Sequence, residues 1–212
     1  MARDVGPLYG LCKRAFDIIF SVFALAVSAV SMALICLLVR LESPGAAIYA
    51  QERVGLGGRP IRVHKIRSMV ADAEDVGRYL DAGQLAQWEA ERKVDDDPRI
   101  TRIGRLIRAT SLDELPQFWD VLVGGMSVVG PRPITRAELE AHFSPAAREE
   151  LLSVRPGVTG AWQAGARDGA TFESGERQAI ELGYVRARGF RLDARCIAGT
   201  FGAMFGNRRS GR

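Results

Sequence analysis

The sequence predicts a mostly helical α+β fold with an N-terminal membrane-inserted helix, amphipathic interface helices and a small β-hairpin. Three observations lead to this fold class. A long apolar run lies near the amino terminus, two later segments place arginines beside apolar residues, and a glycine-rich turn separates two short apolar stretches. With 47% hydrophobic and 25% charged residues among 212, the composition argues against disorder.

The apolar run from Ile18 to Val39 contains no charged residue. As a helix it would be about 33 Å long, enough to cross the hydrocarbon core of a bilayer. A cleaved signal peptide would also follow positive charge, here Lys13 and Arg14, but the run continues well past the small residues around Ala24. A membrane helix therefore explains the run better than a signal peptide does.

Positive charge lies on both sides of this run, with Lys13 and Arg14 before it and Arg40 and Arg53 after it. Because lysine and arginine mark the cytoplasmic side of a membrane, charge and length leave open both a spanning helix and a re-entrant helix that returns to the same face. A re-entrant helix needs a break, usually at proline or glycine. The run contains neither, and only two central serines could bend it.

We expect residues 1–42 to form the membrane-inserted unit and residues 43–212 a second domain at the membrane surface. This domain opens with Ala47–Gln51 and Ile61–Ile66, which fit two short strands joined by a glycine-rich turn. The polar, acidic stretch Ala71–Lys93 predicts a helical segment with a solvated face, broken or weakened at Gly77 and Gly83.

Two later segments have the pattern of amphipathic helices. Over Ile100–Arg108 the aliphatic residues share one helical face and the arginines the other. Apolar residues from Leu192 to Phe205 repeat the pattern, followed by Arg208, Arg209 and Arg212. Such helices suit a membrane interface, although ordinary surface helices share the pattern.

The charge and the metal-binding residue types narrow the classes of partner. The net charge of +4 suits anionic partners. We expect no nucleic acid, because no aromatic residue interleaves with the arginines of Ile100–Arg108. The three cysteines and two histidines lack the spacing of a zinc site or a disulfide framework. The run Asp95–Asp97 before Pro98 predicts an acidic turn rather than a metal site.

Residues Ser111–Gln117 place two carboxylates side by side. Ser111 and Glu114 match a capping box that opens the following helix. Asp113 and Glu114 would then lie at the positive end of the helix dipole, which would keep them ionised and attract phosphate. An ionised aspartate can attack phosphorus, and its neighbour can hold a divalent cation. The capping and catalytic interpretations are compatible, and both stay open.

Several cations are candidates for binding phosphate. Arg132 lies between two prolines, and Arg155 begins a second loop with proline and glycine. Rigid loops of this kind hold a guanidinium in place as a bidentate phosphate ligand, although a surface turn with an incidental arginine is the alternative. Arg53, Lys65 and Arg67 add further positive charge.

In their order along the chain, these motifs resemble the bacterial sugar transferases, also called monotopic phosphoglycosyl transferases. The resemblance runs from about Lys13 to about Asp193, nearly the whole chain. Six motifs carry it: Lys13–Asp17, Lys65–Met69, Asp97–Thr101, Ser111–Gln117, Val129–Pro133 and Arg155–Gly160.

The resemblance implies that Asp113 attacks a UDP-sugar, releases UMP and carries a covalent phosphosugar that passes to polyprenyl phosphate. It implies magnesium bound by Glu114 beside Asp113, and phosphate contacts from Arg108 and Arg132. It also implies a re-entrant helix among membrane lipids, with catalysis on the cytoplasmic face of the bacterial inner membrane. The sugar and the oligomeric state, a homo-oligomer included, stay open.

The sequence departs from the family pattern at three places. Ala29-Val30 stands where the family usually has Ser-Pro at the helix break, Gly125 replaces an aspartate, and Ala161-Trp162-Gln163 stands in place of Trp-Ala-Gln.

A function from another class is also open, namely a non-catalytic membrane-associated sensor of nucleotide sugars or phospholipids on the same fold. The presence of Asp113, Glu114 and Arg132 argues against this sensor, because a binding module needs no nucleophile.

Overall fold

The structure is a computed structural model that describes residues 6–91, 94, 96–165 and 170–205. It is mostly helical, as predicted, with two pairs of short strands. The helices are α1 (Gly6–Glu42), α2 (Val76–Tyr79), α3 (Ala82–Glu91), α4 (Arg102–Ala109), α5 (Gln117–Leu122), α6 (Arg136–His142), α7 (Pro145–Leu151), α8 (Ala161–Gly165), α9 (Glu176–Ala187) and α10 (Phe190–Phe205), and the strands are β1 (Ile48–Val54), β2 (Pro60–Ile66), β3 (Ser127–Val129) and β4 (Gly157–Thr159).

Helix α1 runs without interruption for 37 residues, about 55 Å. The central serines bond back as expected, Ser28 Oγ to the Ala24 carbonyl at 2.7 Å and Ser31 Oγ to the Ser28 carbonyl at 2.9 Å, and the helix continues through them. Within the described ranges, α1 is the one helix long and apolar enough to cross a membrane. A re-entrant course for α1 stays a prediction.

One face of α1 packs against the rest of the chain along the whole helix. Residues buried on this face recur from the first turns to the last: Tyr9, Asp17, Ser21, Ser28 and Val39. The opposite face exposes apolar side chains such as Phe23, Val27, Val30, Leu34 and Leu41. The helix therefore has one protein-facing side and one apolar side that the described residues leave uncovered.

Polar bonds fasten the amino-terminal part of α1 to the domain. Arg14 donates to the carbonyls of Val121 and Leu122 at the end of α5, at 2.7 and 2.9 Å. Asp17 accepts the backbone N–H of Val128 in β3 at 3.0 Å. Arg14, predicted only as a flanking charge, therefore ties α1 to the last carbonyls of α5.

The carboxyl-terminal end of α1 is fastened in the same way. The carboxylate of Glu42 accepts the backbone N–H groups of Arg102 and Ile103, at 2.8 and 3.2 Å, at the beginning of α4. Arg67 donates to the carbonyl of Ser43 at 2.8 Å, just after α1 ends. Both ends of the apolar helix are thus tied to one domain.

The predicted hairpin is confirmed, with β1 extending further than expected, to Val54. The strands are antiparallel, and Tyr49 lies opposite Lys65. Because side chains alternate along a strand, Tyr49, Gln51 and Arg53 share one face of β1. This face carries polar side chains toward the candidate site.

Helix α4 begins two residues later than the amphipathic pattern predicts. Thr101 caps it, its Oγ1 accepting the N–H of Gly104 at 2.9 Å. Ile107 is buried (1% exposed), whereas Leu106 is 63% exposed, so the predicted aliphatic face is divided between core and surface. A Cβ added to Gly104 would lie 1.9 Å from the carbonyl oxygen of Ser68, which shows how closely α4 approaches that backbone.

Strands β3 and β4 form a short parallel pair that the sequence did not predict. The loop that carries Arg132 follows β3, and the loop that begins at Arg155 leads into β4. The two loops meet at Gly130. A Cβ on Gly160 would lie 2.1 Å from the Gly130 carbonyl oxygen. The backbone that carries Arg132 is therefore packed directly on the second loop.

The carboxyl-terminal helix α10 differs from the predicted interface segment. Leu192 and Ile197 pack against the main core, and Cys196 is buried, whereas Phe201 is exposed. Most of the described apolar face is thus used for packing inside the protein. The side chains of Met204 and Phe205, and all of Arg208, Arg209 and Arg212, lie outside the described residues.

The acidic stretch Ala71–Lys93 contains two helices in its described part, and the break lies between Gly77 and Gly83 rather than at either glycine. Helix α2 ends at Tyr79 and α3 begins at Ala82, and Lys93 lies outside the described residues. The predicted acidic turn further on is present at Asp97, whose carboxylate binds Arg99 at 2.6 Å, while Asp95 lies outside the described residues.

Candidate active site

The two adjacent carboxylates lie in a 3₁₀ turn, Leu112–Glu114, between α4 and α5. Ser111 adopts a left-handed conformation (φ 55°) that reverses the chain after α4, and its side chain makes no capping hydrogen bond. The capping-box interpretation of Ser111 and Glu114 is therefore wrong. Leu112 packs on a small cluster around Ile66 and Ile107, which fixes the turn against β2 and α4.

Two cations hold Glu114. Lys65, near the end of β2, places Nζ 2.8 Å from Oε1 of Glu114. Arg132 places Nη1 3.6 Å from the same oxygen. The structure thus brings together three predicted site residues from separate motifs.

Asp113 is buried, with 9% of its surface exposed. Burial raises the pKa of its carboxyl, as does the neighbouring Glu114, while Lys65 and Arg108 lower it. The expectation that a helix dipole keeps this carboxylate ionised thus misses the dominant effect, because burial disfavours the charged form. The nearby cations, rather than a helix end, favour the ionised state.

Arg108 and Tyr49 complete the surroundings of Asp113. Arg108, in the last turn of α4, donates from Nε to Ser68 Oγ at 2.8 Å. Tyr49 was not predicted as a site residue, because an aromatic residue in a strand is ordinary. It lies opposite Lys65 on the hairpin, and although the residue is 39% exposed, partial burial together with Asp113 raises the pKa of its phenol.

Arg53 extends the polar face of β1 toward Arg132. Its Nη1 lies 3.2 Å from Oε2 of Glu138, which is itself fixed by a capping box with Thr135 at the beginning of α6. Burial lowers the pKa of Arg53, and Arg132 lowers it further. Arg53 is therefore close enough to Arg132 for the two like charges to interact.

Two predicted phosphate ligands have other contacts. Arg67 is buried and donates to the carbonyls of Val39, Ser43 and Pro44, so its guanidinium stabilises the end of α1 instead of facing the carboxylates. Arg155 is exposed and donates to the Gly124 carbonyl at 2.9 Å. The structure therefore does not support either residue as a ligand at Asp113 and Glu114.

The carboxylate pair fits magnesium in one specific way. Among the described residues, no group of three or more histidine, cysteine, aspartate or glutamate side chains could hold a metal ion. Magnesium, however, is commonly bound by one or two carboxylates together with substrate phosphates and water. Asp113 and Glu114 are two adjacent carboxylates, the number of protein ligands that this mode uses.

Two further charged residues on α9, Arg177 and Glu181, lie beside Arg132. The Glu181 oxygens accept the backbone N–H of Arg132 at 3.2 and 3.3 Å. Arg177 stacks on Trp162, with its guanidinium carbon 4.4 Å from the centroid. No sequence pattern marks either residue, because a helix with scattered charges is typical of a protein surface.

Glu181 provides a test of this arrangement through pH. It is 3% exposed, and burial raises its pKa from 4.5 to about 7. Because the folded state holds the proton more tightly, wild-type stability falls as pH rises through about 7. We expect Glu181→Gln to be more stable than wild type by about 2 kcal/mol at about pH 8, and to lose this advantage at about pH 5. Thermal unfolding at both pH values measures the difference; a gap independent of pH would contradict the assignment.

Comparison with known proteins identifies the family that the chain resembles. A family model described as bacterial sugar transferase matches residues 8–207. An exopolysaccharide production protein, ExoY, from Sinorhizobium fredii is 35% identical over 185 residues, covering 86% of this chain and 80% of its own length.

Two longer relatives have names that specify different sugars. An undecaprenyl-phosphate galactose phosphotransferase from Salmonella typhimurium is 41% identical over 165 residues, 76% of this chain. A UDP-N-acetylgalactosamine-undecaprenyl-phosphate N-acetylgalactosaminephosphotransferase from Aeromonas hydrophila is 39% identical over 156 residues, 73% of this chain. The matched part is 34% of the length of each of these two relatives. The motif resemblance is thereby confirmed, and the chain belongs to the bacterial sugar transferase family.

Proposed function

We propose that the protein transfers a sugar 1-phosphate from a UDP-sugar to polyprenyl phosphate and releases UMP, as the first membrane step of glycoconjugate or polysaccharide assembly. The observation that carries the proposal is the convergence of Lys65, Arg108 and Arg132 on the Asp113–Glu114 pair. A buried carboxylate among cations suits attack on an anionic phosphorus centre. The names of the relatives support the same donor and acceptor classes.

The proposed reaction has two displacement steps at one phosphorus atom. In the first, an oxygen of Asp113 bonds to the sugar-bearing phosphorus, and the bond to the bridging oxygen breaks, so that UMP leaves with the electron pair. In the second, an oxygen of polyprenyl phosphate attacks the same phosphorus. The Asp113 oxygen leaves, the carboxylate is restored, and a polyprenyl diphosphate sugar forms.

The surrounding residues would offset the charge of the two substrates. Lys65 and Arg132 hold Glu114 and would also contact phosphate oxygens, while Arg108 lies on the Asp113 side. Magnesium bound at Glu114 and Asp113 would neutralise the diphosphate and polarise it toward attack. Because donor and acceptor are both anionic, a covalent intermediate lets one small site bind them in turn.

The proposed location is the bacterial inner membrane, with the active site on its cytoplasmic face. Support comes from α1, whose outer face is apolar and whose two ends are both tied to the domain through Arg14 and Glu42. A helix that crossed the bilayer would have to place these two ends on opposite sides. Insertion of α1 from one face keeps both ends with the domain.

This arrangement predicts that both ends of α1 are accessible from the same side. In single-cysteine variants that retain Cys12 or carry Ala46→Cys, an impermeant maleimide should label both sites in inverted inner-membrane vesicles and neither in intact spheroplasts. Both residues are exposed. Labelling of one site in each preparation would instead show that α1 spans the membrane.

The direct test of function is UMP release from a panel of UDP-sugars by purified protein with magnesium and polyprenyl phosphate. We expect release with one or a few sugars. Without acceptor, a burst of UMP close to one equivalent of enzyme is expected, because the covalent intermediate then accumulates. Absence of UMP with every sugar, in folded and membrane-bound protein, would favour a binding protein over an enzyme.

A further inference from the structure

Three arginines, Arg53, Arg132 and Arg177, lie close enough together for their charges to interact, and we call them the arginine cluster. Arg132 contacts Glu114 at 3.6 Å, which connects the cluster to the carboxylates. Burial lowers the pKa of Arg177 to about 10, and the positive charges of Arg132 and Arg53 add to the shift. Like charges brought this close raise the energy of the empty site, and an anion bound between them would relieve that repulsion.

Arg177 is held rigidly by aromatic rings. Its guanidinium carbon lies 4.4 Å from the Trp162 centroid and 3.9 Å from the Phe172 centroid. Phe172 is stacked in turn on His142, with centroids 4.3 Å apart and rings within 3° of parallel. Stacking uses the faces of a guanidinium and leaves its edge donors for an anion in the same plane.

At least one donor of Arg177 is not used by the part of the protein that the structure describes. Its buried Nε has no hydrogen-bond partner there, and no described carboxylate lies within ion-pair distance. The two nearby glutamates have other contacts, since Glu138 binds Arg53 and Glu181 accepts the Arg132 backbone. These glutamates hold Arg53 and Arg132 in place and form no ion pair with Arg177 among the described residues.

We propose that Arg53, Arg132 and Arg177 bind the phosphate of the nucleotide half of the donor, the group that leaves as UMP. The inference rests on the proposed function, because it assigns the second phosphate of the same diphosphate. With one phosphate of the donor at Asp113 and Glu114, the other would be one bridging oxygen away, on the side of Arg132 and the arginine cluster. A polyprenyl phosphate has a single phosphate and does not need this extension.

The test is binding of UMP, inorganic phosphate and polyprenyl phosphate to the full chain in detergent, measured by calorimetry. Arg177→Gln should weaken UMP binding about tenfold or more, the usual range for losing one charge-assisted contact. Arg177→Lys keeps the charge without the planar stack and should bind UMP with intermediate affinity. The control is Arg186→Gln on the same helix, since Arg186 is exposed and paired with Glu150, and it should bind UMP like wild type.

The pattern across the probes identifies the ligand. A loss for UMP that exceeds any loss for polyprenyl phosphate supports the inference, whereas a loss confined to polyprenyl phosphate, or no loss at all, overturns it. If Arg177→Gln does not fold, Arg53→Gln provides the same comparison. Arg177-dependent UMP binding in a protein that releases no UMP would remove the proposed function and leave this site. If Arg177→Gln releases UMP with a wild-type KM for the donor, the proposed function stands and the assignment of Arg177 to the nucleotide phosphate is removed.

Discussion

Replacing Asp113 with asparagine is expected to lower kcat for UMP release by about a thousandfold or more, the scale seen when a nucleophile is removed. Asparagine matches the shape of aspartate but provides neither the charge nor the nucleophilic oxygen. Because burial already raises the pKa of Asp113, a neutral side chain should be tolerated there without loss of folding. The variant should also fail to acquire a hydroxylamine-labile label from a UDP-sugar radiolabelled at the sugar phosphate.

The matched control for this variant is Asp120→Asn. Asp120 is also buried, but it binds the backbone N–H and the ring of His64 at 2.8 and 2.6 Å instead of facing the cations of the site. It should keep UMP release and labelling close to wild type. Equal activity in Asp113→Asn and wild type would remove Asp113 as the nucleophile, whatever the family relationship suggests.

Gly104→Ala should be the most destabilising single methyl addition near the site. The new Cβ would meet the Ser68 carbonyl oxygen at 1.9 Å and its carbonyl carbon at 2.6 Å, and neither backbone atom can rotate away. Helix α4 would have to move, which would break the Arg108–Ser68 bond and displace the turn with Asp113. We expect a loss of about 3 kcal/mol, the upper part of the range for overpacking, together with lower activity.

Gly183→Ala is the control for that effect. Gly183 lies within α9, and nothing approaches within 4 Å of the position of its Cβ. Alanine favours a helix over glycine, so this variant should gain about 0.5–1 kcal/mol. Thermal unfolding midpoints of both variants in the same detergent give the comparison. A similar midpoint for Gly104→Ala and wild type would show that α4 is free to shift.

Local patterns in the sequence predicted the elements that depend on local contacts. The apolar run, the hairpin and the carboxylate pair each lie within one short segment, so periodicity and turn residues suffice to find them. The parallel pair β3 and β4 was missed, because each strand has three residues and its partner is far along the chain. A pairing of that kind leaves no period to detect.

Lys65 and Arg67 show that sequence patterns also fail to predict which contacts an individual side chain makes. They are two residues apart, and alternation would place both on one face of β2. The strand ends at Ile66, however, so Arg67 turns to the carbonyls at the end of α1 while Lys65 reaches Glu114. Burial of Asp113, and the approach of Arg177 to Arg132, likewise depend on packing between distant segments.

The attachment of α1 at both ends has a consequence for catalysis on a lipid. If α1 inserts from one face, anchor and catalytic carboxylates move as a single rigid body, and no hinge adjusts their separation. The height of the carboxylates relative to the lipid headgroups would then be set by the protein. A thicker or thinner bilayer would tilt the whole molecule or deform around it, so that turnover would depend on acyl-chain length even at constant acceptor concentration.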